Sequence, residues 1–360
     1  MIVKQVPFFA LFLPLFCISK CFAQDSAKTK LIMLPVVTRS IETSWSFGAV
    51  SSFTFHGKGD TLTRTSNQQA VALYSLKKQL VLALNGSVYF PGEKYILNDQ
   101  VSFSYFPDKF WGLGKNTPDN VQESYIFKQY YLYLHFLKAI KRNLFAGALF
   151  EFQNVLKVDY NEGGLFDREN VAGRHGYKIS GLGGSLTYDN RNNAFSPDRG
   201  AFLQTYFNHF DPIFGSDYNY TNIVIDARKY LRIYNEQVLA LQFYSFMNVG
   251  PEVPLRSLAT LGGANSMRGL FDGRYRDKNQ MVFQAEYRVP IAGRFGAVLF
   301  TGIGDVGHTA ADYSLGSFKY SYGGGLRIAV DKKEKLNIRI DYGLAGKGNN
   351  GLYFQLGEAF

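Results

Sequence analysis

Apolar and polar side chains alternate strictly along the last part of this sequence. In residues 335–344, KLNIRIDYGL, one face carries Leu336, Ile338, Ile340, Tyr342 and Leu344, and the other carries Lys335, Asn337, Arg339, Asp341 and Gly343. Residues 318–330 repeat the pattern. A strand places alternate side chains on opposite faces, so both segments predict strands with one apolar face and one charged face. Many such strands fit a membrane barrel with lipid outside and a polar lumen better than a soluble sandwich.

The alternation predicts an all-β fold, a 16-stranded antiparallel transmembrane β-barrel. The predicted strands are 32–40, 44–56, 66–77, 79–90, 94–106, 122–138, 143–158, 178–191, 200–210, 218–234, 236–249, 279–291, 295–304, 317–330, 335–344 and 351–360. Connections in such barrels alternate between the two sides of the membrane, and the periplasmic turns are short. The longest connections, 107–121, 159–177 and 250–278, all follow odd-numbered strands. The count is therefore self-consistent, and both ends of the mature chain lie on the periplasmic side.

The first residues predict a signal peptide, 1–23, and leave 24–360 as the barrel domain. Lys4 precedes the apolar run 6–18, and the sequence Cys21-Phe22-Ala23 provides a cleavage site. The apolar run is too short to cross a bilayer as a helix, which needs about 20 residues. Both cysteines of the sequence, Cys17 and Cys21, leave with this peptide. The exported chain therefore cannot use disulfides.

Composition and motifs narrow the possible functions. The sequence has 32 Phe, 24 Tyr and 36 Gly, and its formal charge of +10 is a modest excess that fits contact with anionic lipid and does not by itself indicate nucleic acid. The five histidines have no metal-ligand spacing, and no nucleophile motif or carboxylate pair stands out. We therefore expect no enzyme, no cofactor, no metal and no nucleic-acid partner.

The stretch GGANSMRGL, residues 262–270, resembles the loop motif of the BamA/TamA superfamily (the bacterial surface antigen family), which has a glycine pair followed by (Val/Ile)-Arg-Gly-(Phe/Tyr). The motif positions in this sequence are Gly262, Gly263, Met267, Arg268, Gly269 and Leu270. Met267 replaces the β-branched residue and Leu270 replaces the aromatic one. The resemblance implies that this connection is a long sixth extracellular loop that folds back into the lumen.

Further elements of the resemblance follow in order over residues 178–360. MVFQAEYRVPI, with Glu286, is similar to the family's twelfth strand, and AVLFTGIGDVG, with Asp305, is similar to its thirteenth. YDNRNNAFSPDRG resembles the family's signature before the ninth strand, through Asp189, Arg191, Pro197 and Gly200. A terminal Phe360 matches the signal that the outer-membrane insertion machinery recognises. The resemblance implies an integral outer-membrane location.

In the family, the loop arginine meets acidic groups on the inner wall, so the resemblance implies that Arg268 is held against Glu286 and Asp305. Arginine stays charged and its planar fork suits carboxylates. Alternation supports Glu286, which shares a face with Gln284 and Arg288, whereas the placement of Asp305 depends on the resemblance alone. The alternative is that Arg268 is one solvated charge in a basic loop.

The resemblance implies an assembly factor that assists the insertion or translocation of polypeptides or lipids through a seam between the first and last strands. Family members usually carry periplasmic POTRA domains, and this sequence leaves no room for one, so a periplasmic or lipoprotein partner would capture clients. The expected environment is outer-membrane lipid and lipopolysaccharide, and the expected state is a monomeric barrel. The alternatives are a passive channel, a structural barrel, or a surface receptor.

Overall fold

The computed structural model describes residues 29–56, 63–193, 195–331 and 335–360. The predicted signal peptide lies outside these residues. The strands are β1 (Lys30–Ser40), β2 (Ser44–Phe55), β3 (Ser66–Ser75), β4 (Leu80–Tyr89), β5 (Tyr95–Phe110), β6 (Glu123–Lys141), β7 (Leu144–Asp159), β8 (Tyr177–Asp189), β9 (Gly200–Phe210), β10 (Tyr220–Arg232), β11 (Val238–Val249), β12 (Ala259–Leu261), β13 (Tyr275–Asp277), β14 (Asn279–Ala292), β15 (Phe295–Gly307), β16 (Lys319–Asp331), β17 (Leu336–Ala345) and β18 (Asn350–Leu356).

Sixteen of these strands form one closed antiparallel barrel, as the sequence predicted. Each barrel strand pairs with its neighbours in the chain, and β1 and β18 close the ring. The two short strands β12 and β13 were not predicted; they pair with each other inside the connection between β11 and β14. The barrel therefore carries a small hairpin of its own in its longest connection.

Alternation along each strand separates an outer apolar face from an inner polar face. On β17, Tyr342 is 48% exposed while its neighbour Asp341 is fully buried. On β15, Leu299 is 67% exposed and Phe300 is buried. Closure leaves no free sheet edge along most of the wall, and the exposed apolar side chains form the surface that lipid covers.

Helical segments are short. One α-helical turn, α1, covers Leu165–Arg168. The 3-10 segments are Pro91–Glu93, Pro212–Phe214, Leu255–Ser257, Ala310–Asp312, Leu315–Ser317 and Gly346–Gly348. Within the residues that the structure describes, no helix has the length and apolar character needed to cross a membrane.

The extracellular ends of the strands are covered by an apolar cap. The connections after β5, β7 and β11 contribute side chains that pack on the strand ends. Its buried members include Phe110, Tyr125, Phe166, Val171, Tyr177, Phe210, Tyr220, Val253 and Leu255. Phe210 and Tyr220 stack with their ring centroids 4.6 Å apart. The long connections on this side are therefore packed against each other.

The closure between β1 and β18 is much shorter than the other strand contacts. Only Arg39 and Phe354 are paired across it in the described residues, whereas β1 pairs with β2 from Lys30 to Ser40. β18 ends at Leu356, and no residue of β1 before Arg39 is paired with it. We call this contact the seam.

Candidate functional site: the buried arginine of the long connection

The glycine pair gives the long connection a fixed shape. The hairpin of β12 and β13 encloses residues 262–274. Gly262 and Gly263 have φ angles of +121° and +105°, a region that favours glycine. The Gly263 amide donates to the Leu270 carbonyl at 3.0 Å, and a Cβ on Gly262 would lie 2.1 Å from the Phe271 carbonyl oxygen. The motif therefore forms a tight turn.

Arg268 lies at the tip of this turn and contacts three strands of the wall. Its side chain is 1% exposed. Its Nη1 donates to Asp341 Oδ2 on β17 at 2.6 Å, and its Nη2 pairs with Glu286 Oε1 on β14. Its Cζ lies 3.6 Å from the centre of the Phe300 ring on β15, a cation–π contact. The predicted contact between Arg268 and Glu286 is present in the structure, and the solvated alternative does not describe this side chain.

Two glycines let the loop backbone lie directly on β17. Gly269 has a φ of +110°, and a Cβ there would lie 2.8 Å from the Leu344 carbonyl carbon. A Cβ on Gly343 would lie 2.6 Å from the carbonyl carbon and oxygen of Arg268. The Gly269 amide also donates to Tyr353 Oη on β18 at 2.9 Å. The contact of Arg268 and Gly269 with β17 therefore depends on close packing of the two backbones as well as on the charge of the arginine.

The two departures from the family motif are both buried. Met267 and Leu270 pack in one apolar cluster with Leu261, Tyr275, Val282, Val306 and Ala345. The Met267 amide donates to Gln284 Oε1 on β14 at 3.1 Å. The methionine and leucine side chains thus supply the apolar packing of the loop tip.

The carboxylates that hold Arg268 belong to a larger buried charge network. Glu286 also accepts from Arg288, at 2.8 Å from Nη2. Asp341 accepts from Arg327 at 2.6 Å and lies 3.5 Å from Arg339. We call this set the lock network; its members are Arg268, Glu286, Arg288, Arg327, Arg339, Asp341 and Glu358. Buried charges of this kind are tolerated because each is paired and hydrogen-bonded.

The predicted contact between Arg268 and Asp305 does not form. Asp305 lies within β15, beyond the predicted strand end at 304, and is fully buried, whereas Leu299 and Ile303, which have the same parity, are exposed. Its carboxylate instead accepts from Lys319 Nζ at 2.8 Å and from Ser317 Oγ at 2.7 Å. The Asp305 carboxylate is therefore neutralised by Lys319, and Asp341 is the second partner of Arg268.

The carboxyl-terminal residues leave the barrel wall. The last strand was predicted as 351–360, but β18 ends at Leu356 and Gly357 has a φ of +84°, which turns the chain. Glu358 accepts from Arg327 Nε at 2.7 Å. Phe360 is buried, and Arg288 Nη2 donates to its carbonyl oxygen at 2.9 Å. The side chain of Phe360 packs with Tyr230, Val238 and Ala240. Its role as an insertion signal stays a prediction.

The motif between β8 and β9 builds a turn at the periplasmic end. Asp189 accepts from Arg191 Nε at 2.9 Å. Gly200 has a φ of +107°, and a Cβ there would lie 2.6 Å from the Asn190 carbonyl oxygen. Pro197 is buried within the turn. Ser196 Oγ donates to Glu358 Oε1 at 3.3 Å, so the turn touches the lock network.

Five further cations of the barrel strands are paired with acids. Arg228 donates to Asp226, Arg232 donates to Asp198, and Lys319 donates to Asp305. Arg327 and Arg339 both reach Asp341. These five side chains therefore form local ion pairs with wall acids.

The same connection is fastened to both sides of the seam. Gly269 contacts β18 through Tyr353, while the Asp272 amide donates to Glu42 Oε1, in the turn after β1, at 2.8 Å. Arg276 Nη2 donates to Asp108 on β5 at 2.9 Å. Arg274 also donates to Thr117 Oγ1 at 2.7 Å. The partners of Arg274 and Arg276 lie too far along the chain for sequence spacing to reveal them.

Acid pH should stabilise the packing of the connection against Glu42, because burial of this carboxyl outweighs the preference of its hydrogen bonds for the ionised form. Burial raises the pKa of the Glu42 carboxyl, and the nearby Asp272 carboxylate raises it further. A raised pKa means that the stabilising contribution is full below the ordinary values and is lost as pH rises through the raised values. We expect the Asp272 amide to exchange hydrogen more slowly at pH about 5 than at pH about 8, after correction for intrinsic exchange.

The variant Glu42→Gln keeps an acceptor oxygen and removes the ionisation. Its corrected exchange rate at Asp272 should change less between these pH values than that of the wild type. Equal protection of the wild-type amide at both pH values would contradict the assignment.

Comparison with protein families gives a match over most of the chain. The family model described as the Omp85 superfamily domain matches residues 63–360. Comparison with curated protein sequences gave no match.

Several solved structures share the fold. One is BamA from Haemophilus ducreyi lacking POTRA domains 1–3, with a TM-score of 0.61, 13% identity, and coverage of 92% of this chain and 70% of that chain. CdiB from Acinetobacter baumannii has a TM-score of 0.58 and 12% identity, over 92% of this chain and 65% of that chain. CdiB from Escherichia coli has a TM-score of 0.58 and 12% identity, over 94% of this chain and 68% of that chain. This chain thus spans about two thirds of the length of these structures.

Proposed function

Because the chain belongs to the Omp85 superfamily and is an integral outer-membrane barrel, we propose that it assists the insertion or translocation of polypeptides or lipids at the outer membrane. The seam is the observation that carries this proposal. Membrane barrels normally close because unpaired backbone groups are costly in lipid. Here one residue pair, Arg39 with Phe354, joins the first and last strands. The free energy needed to separate two neighbouring strands is therefore lowest at the seam.

We infer that the connection 250–278 lies inside the barrel and holds the seam from within. Arg268 forms ion pairs with the inner-face residues Glu286 and Asp341. On the other side of the seam, the connection forms hydrogen bonds with Glu42 and Asp108. In this role the lock network keeps the wall between β14 and β18 in shape while the seam moves. The network is a structural support for the activity.

In this proposal, a partner protein binds the client polypeptide before insertion. We propose that a periplasmic protein or a lipoprotein delivers the polypeptide to a monomeric barrel. Phospholipid and lipopolysaccharide around the seam would be the medium into which the client passes.

A disulfide across the seam tests the proposal. Arg39 and Phe354 are direct partners on the outer face, so Arg39→Cys with Phe354→Cys places two thiols within reach of one another. The described residues contain no cysteine that could compete. In vesicles, the purified barrel should speed the insertion of an unfolded eight-stranded barrel polypeptide. Oxidation of the double variant should abolish this acceleration, and reduction should restore it.

A second disulfide controls for stiffening of the wall. Val37 and Phe47 are paired on the outer face of the neighbouring β1–β2 hairpin. Val37→Cys with Phe47→Cys should keep full activity when oxidised. Full activity of the oxidised seam variant would refute a role for the seam. A wild-type protein that inserts nothing, but conducts steadily and selectively in planar bilayers, would instead favour the passive channel.

A further inference from the structure

Four exposed cations cluster on two adjacent periplasmic turns. Lys94 lies in the turn before β5, and Lys138, Lys141 and Arg142 lie at the end of β6 and in the turn that follows. We call these four residues the basic patch. Among the described residues none of the four forms an ion pair, although most arginines of the barrel do. The nearest acid in the sequence, Glu93, is already held by Arg64.

Backbone pairing brings the two turns together. The Ala139 amide donates to the Lys94 carbonyl at 2.9 Å. Tyr95 and Lys138 are direct partners in the β5–β6 ladder. The patch is therefore a fixed feature of the wall, in which positive charges that repel each other are held side by side without a protein counter-charge.

Apolar side chains place the basic patch at the edge of the lipid-covered surface. Lys138 shares the outer face of β6 with Phe136 and Ile140, which are 43% and 54% exposed. The rings of Tyr95 and Phe136 stack with centroids 5.5 Å apart, and Lys94 Nζ lies 5.9 Å from the centre of the Tyr95 ring. Aromatic rings mark the membrane–water interface, and lysine stems run along apolar surface while the ammonium stays in the polar layer. The four charges thus lie at headgroup depth.

We propose that the basic patch binds the phosphate headgroup of an anionic phospholipid in the periplasmic leaflet. Clustered cations at a membrane surface attract anionic lipids, and Lys and Arg both donate to phosphate oxygens. The interleaving of Lys138 with exposed Phe136 and Ile140 favours a lipid over an acidic protein, because a soluble protein would have to enter the interface to reach this face. This lipid site does not depend on the function proposed for the seam.

Lipid retention measured by native mass spectrometry tests the proposal. The intact barrel is purified in detergent with equal amounts of phosphatidylglycerol and phosphatidylcholine, and the retained lipids are counted. The wild-type protein should retain phosphatidylglycerol in preference to phosphatidylcholine. The test variant carries Lys94→Gln, Lys138→Gln, Lys141→Gln and Arg142→Gln. Its preference should fall about tenfold or more, as the loss of several surface charges predicts.

A matched variant removes four exposed cations from the opposite, extracellular end. It carries Lys78→Gln, Arg168→Gln, Lys178→Gln and Lys347→Gln, and so has the same net charge as the test variant. This control should keep the wild-type preference. If the fourfold test variant does not fold, the two double variants, Lys94→Gln with Lys138→Gln and Lys141→Gln with Arg142→Gln, should each lose part of the preference.

Three results would overturn the proposal. The first is equal retention of the two lipids by the wild-type protein. The second is an equal loss of preference in the test and control variants, which would show a general charge effect. The third is displacement of phosphatidylglycerol by an acidic polypeptide added at equal concentration, which would assign the patch to a protein partner.

Discussion

Replacement of Arg268 with alanine should destabilise the barrel by about 3–5 kcal/mol, because it leaves the buried Glu286 and Asp341 carboxylates without their shared counter-charge. We also expect the Phe300 ring to lose its cation–π partner. The loss should appear as a lower midpoint of guanidinium unfolding in lipid vesicles, measured by the heat-dependent migration of the folded barrel in electrophoresis. The acceleration of client insertion should fall with it.

The variant Arg268→Lys distinguishes the effect of the positive charge from the effect of the guanidinium geometry. Lysine keeps the positive charge, but one ammonium cannot replace the two arms that reach β14 and β17, so partial recovery is expected. Arg168→Ala, in the exposed turn α1, serves as the control and should leave the midpoint unchanged within about 0.5 kcal/mol. An unfolding midpoint of Arg268→Ala equal to that of the wild type would contradict the role of the lock network.

Gly343→Ala should damage the same contact without changing any charge. The added methyl group would lie 2.6 Å from the Arg268 carbonyl, so the loop tip must move away from β17. The Arg268 fork would then lose its position between the two carboxylates. We expect a destabilisation of about 2–4 kcal/mol, in the range of other strained or overpacked core sites. The unfolding assay used for Arg268 provides the measurement.

Gly324→Ala is the matched control for Gly343→Ala. Gly324 lies on the neighbouring strand β16, and a Cβ there would meet its nearest atoms at 3.4 Å, an ordinary contact. This variant should be nearly neutral. Because Gly343→Ala and Arg268→Ala disrupt one contact, the double variant should be less destabilised than the sum of the two. Additive effects would show that the two residues act separately.

The barrel itself was predictable from local pattern, since alternation depends only on neighbouring residues. The faces of Glu286 and Asp341 both followed from it. The pairing of Asp341 with Arg268 could not be predicted in this way. The loop tip passes β15 and β16 before it contacts β17, and alternation between neighbouring residues carries no information about such a distant contact. For Asp305, alternation gave no clear face, so its predicted contact depended on the resemblance, and the structure pairs Asp305 with Lys319 instead.

The ends of the predicted strands were less accurate for a related reason. Leu352, Phe354, Leu356 and Phe360 share one parity, which extended the last predicted strand to residue 360. Gly357 breaks the strand through its backbone angle, and Glu358 turns towards Arg327, a partner distant in sequence. The strands β12 and β13 are three residues each, too short for alternation to show.

The two ends of the seam differ, because most of β1 is unpaired on the side of β18. Its extracellular end is tied down, by Arg39 with Phe354 and by Glu42 with the Asp272 amide. On the periplasmic side of this point, the nine residues Lys30–Thr38 have no paired partner on β18, a length close to the roughly 9–11 residues of a membrane-spanning strand. In the proposed function, a polypeptide that adds to this edge would therefore start at the periplasmic end of β1, because the extracellular end is held in place.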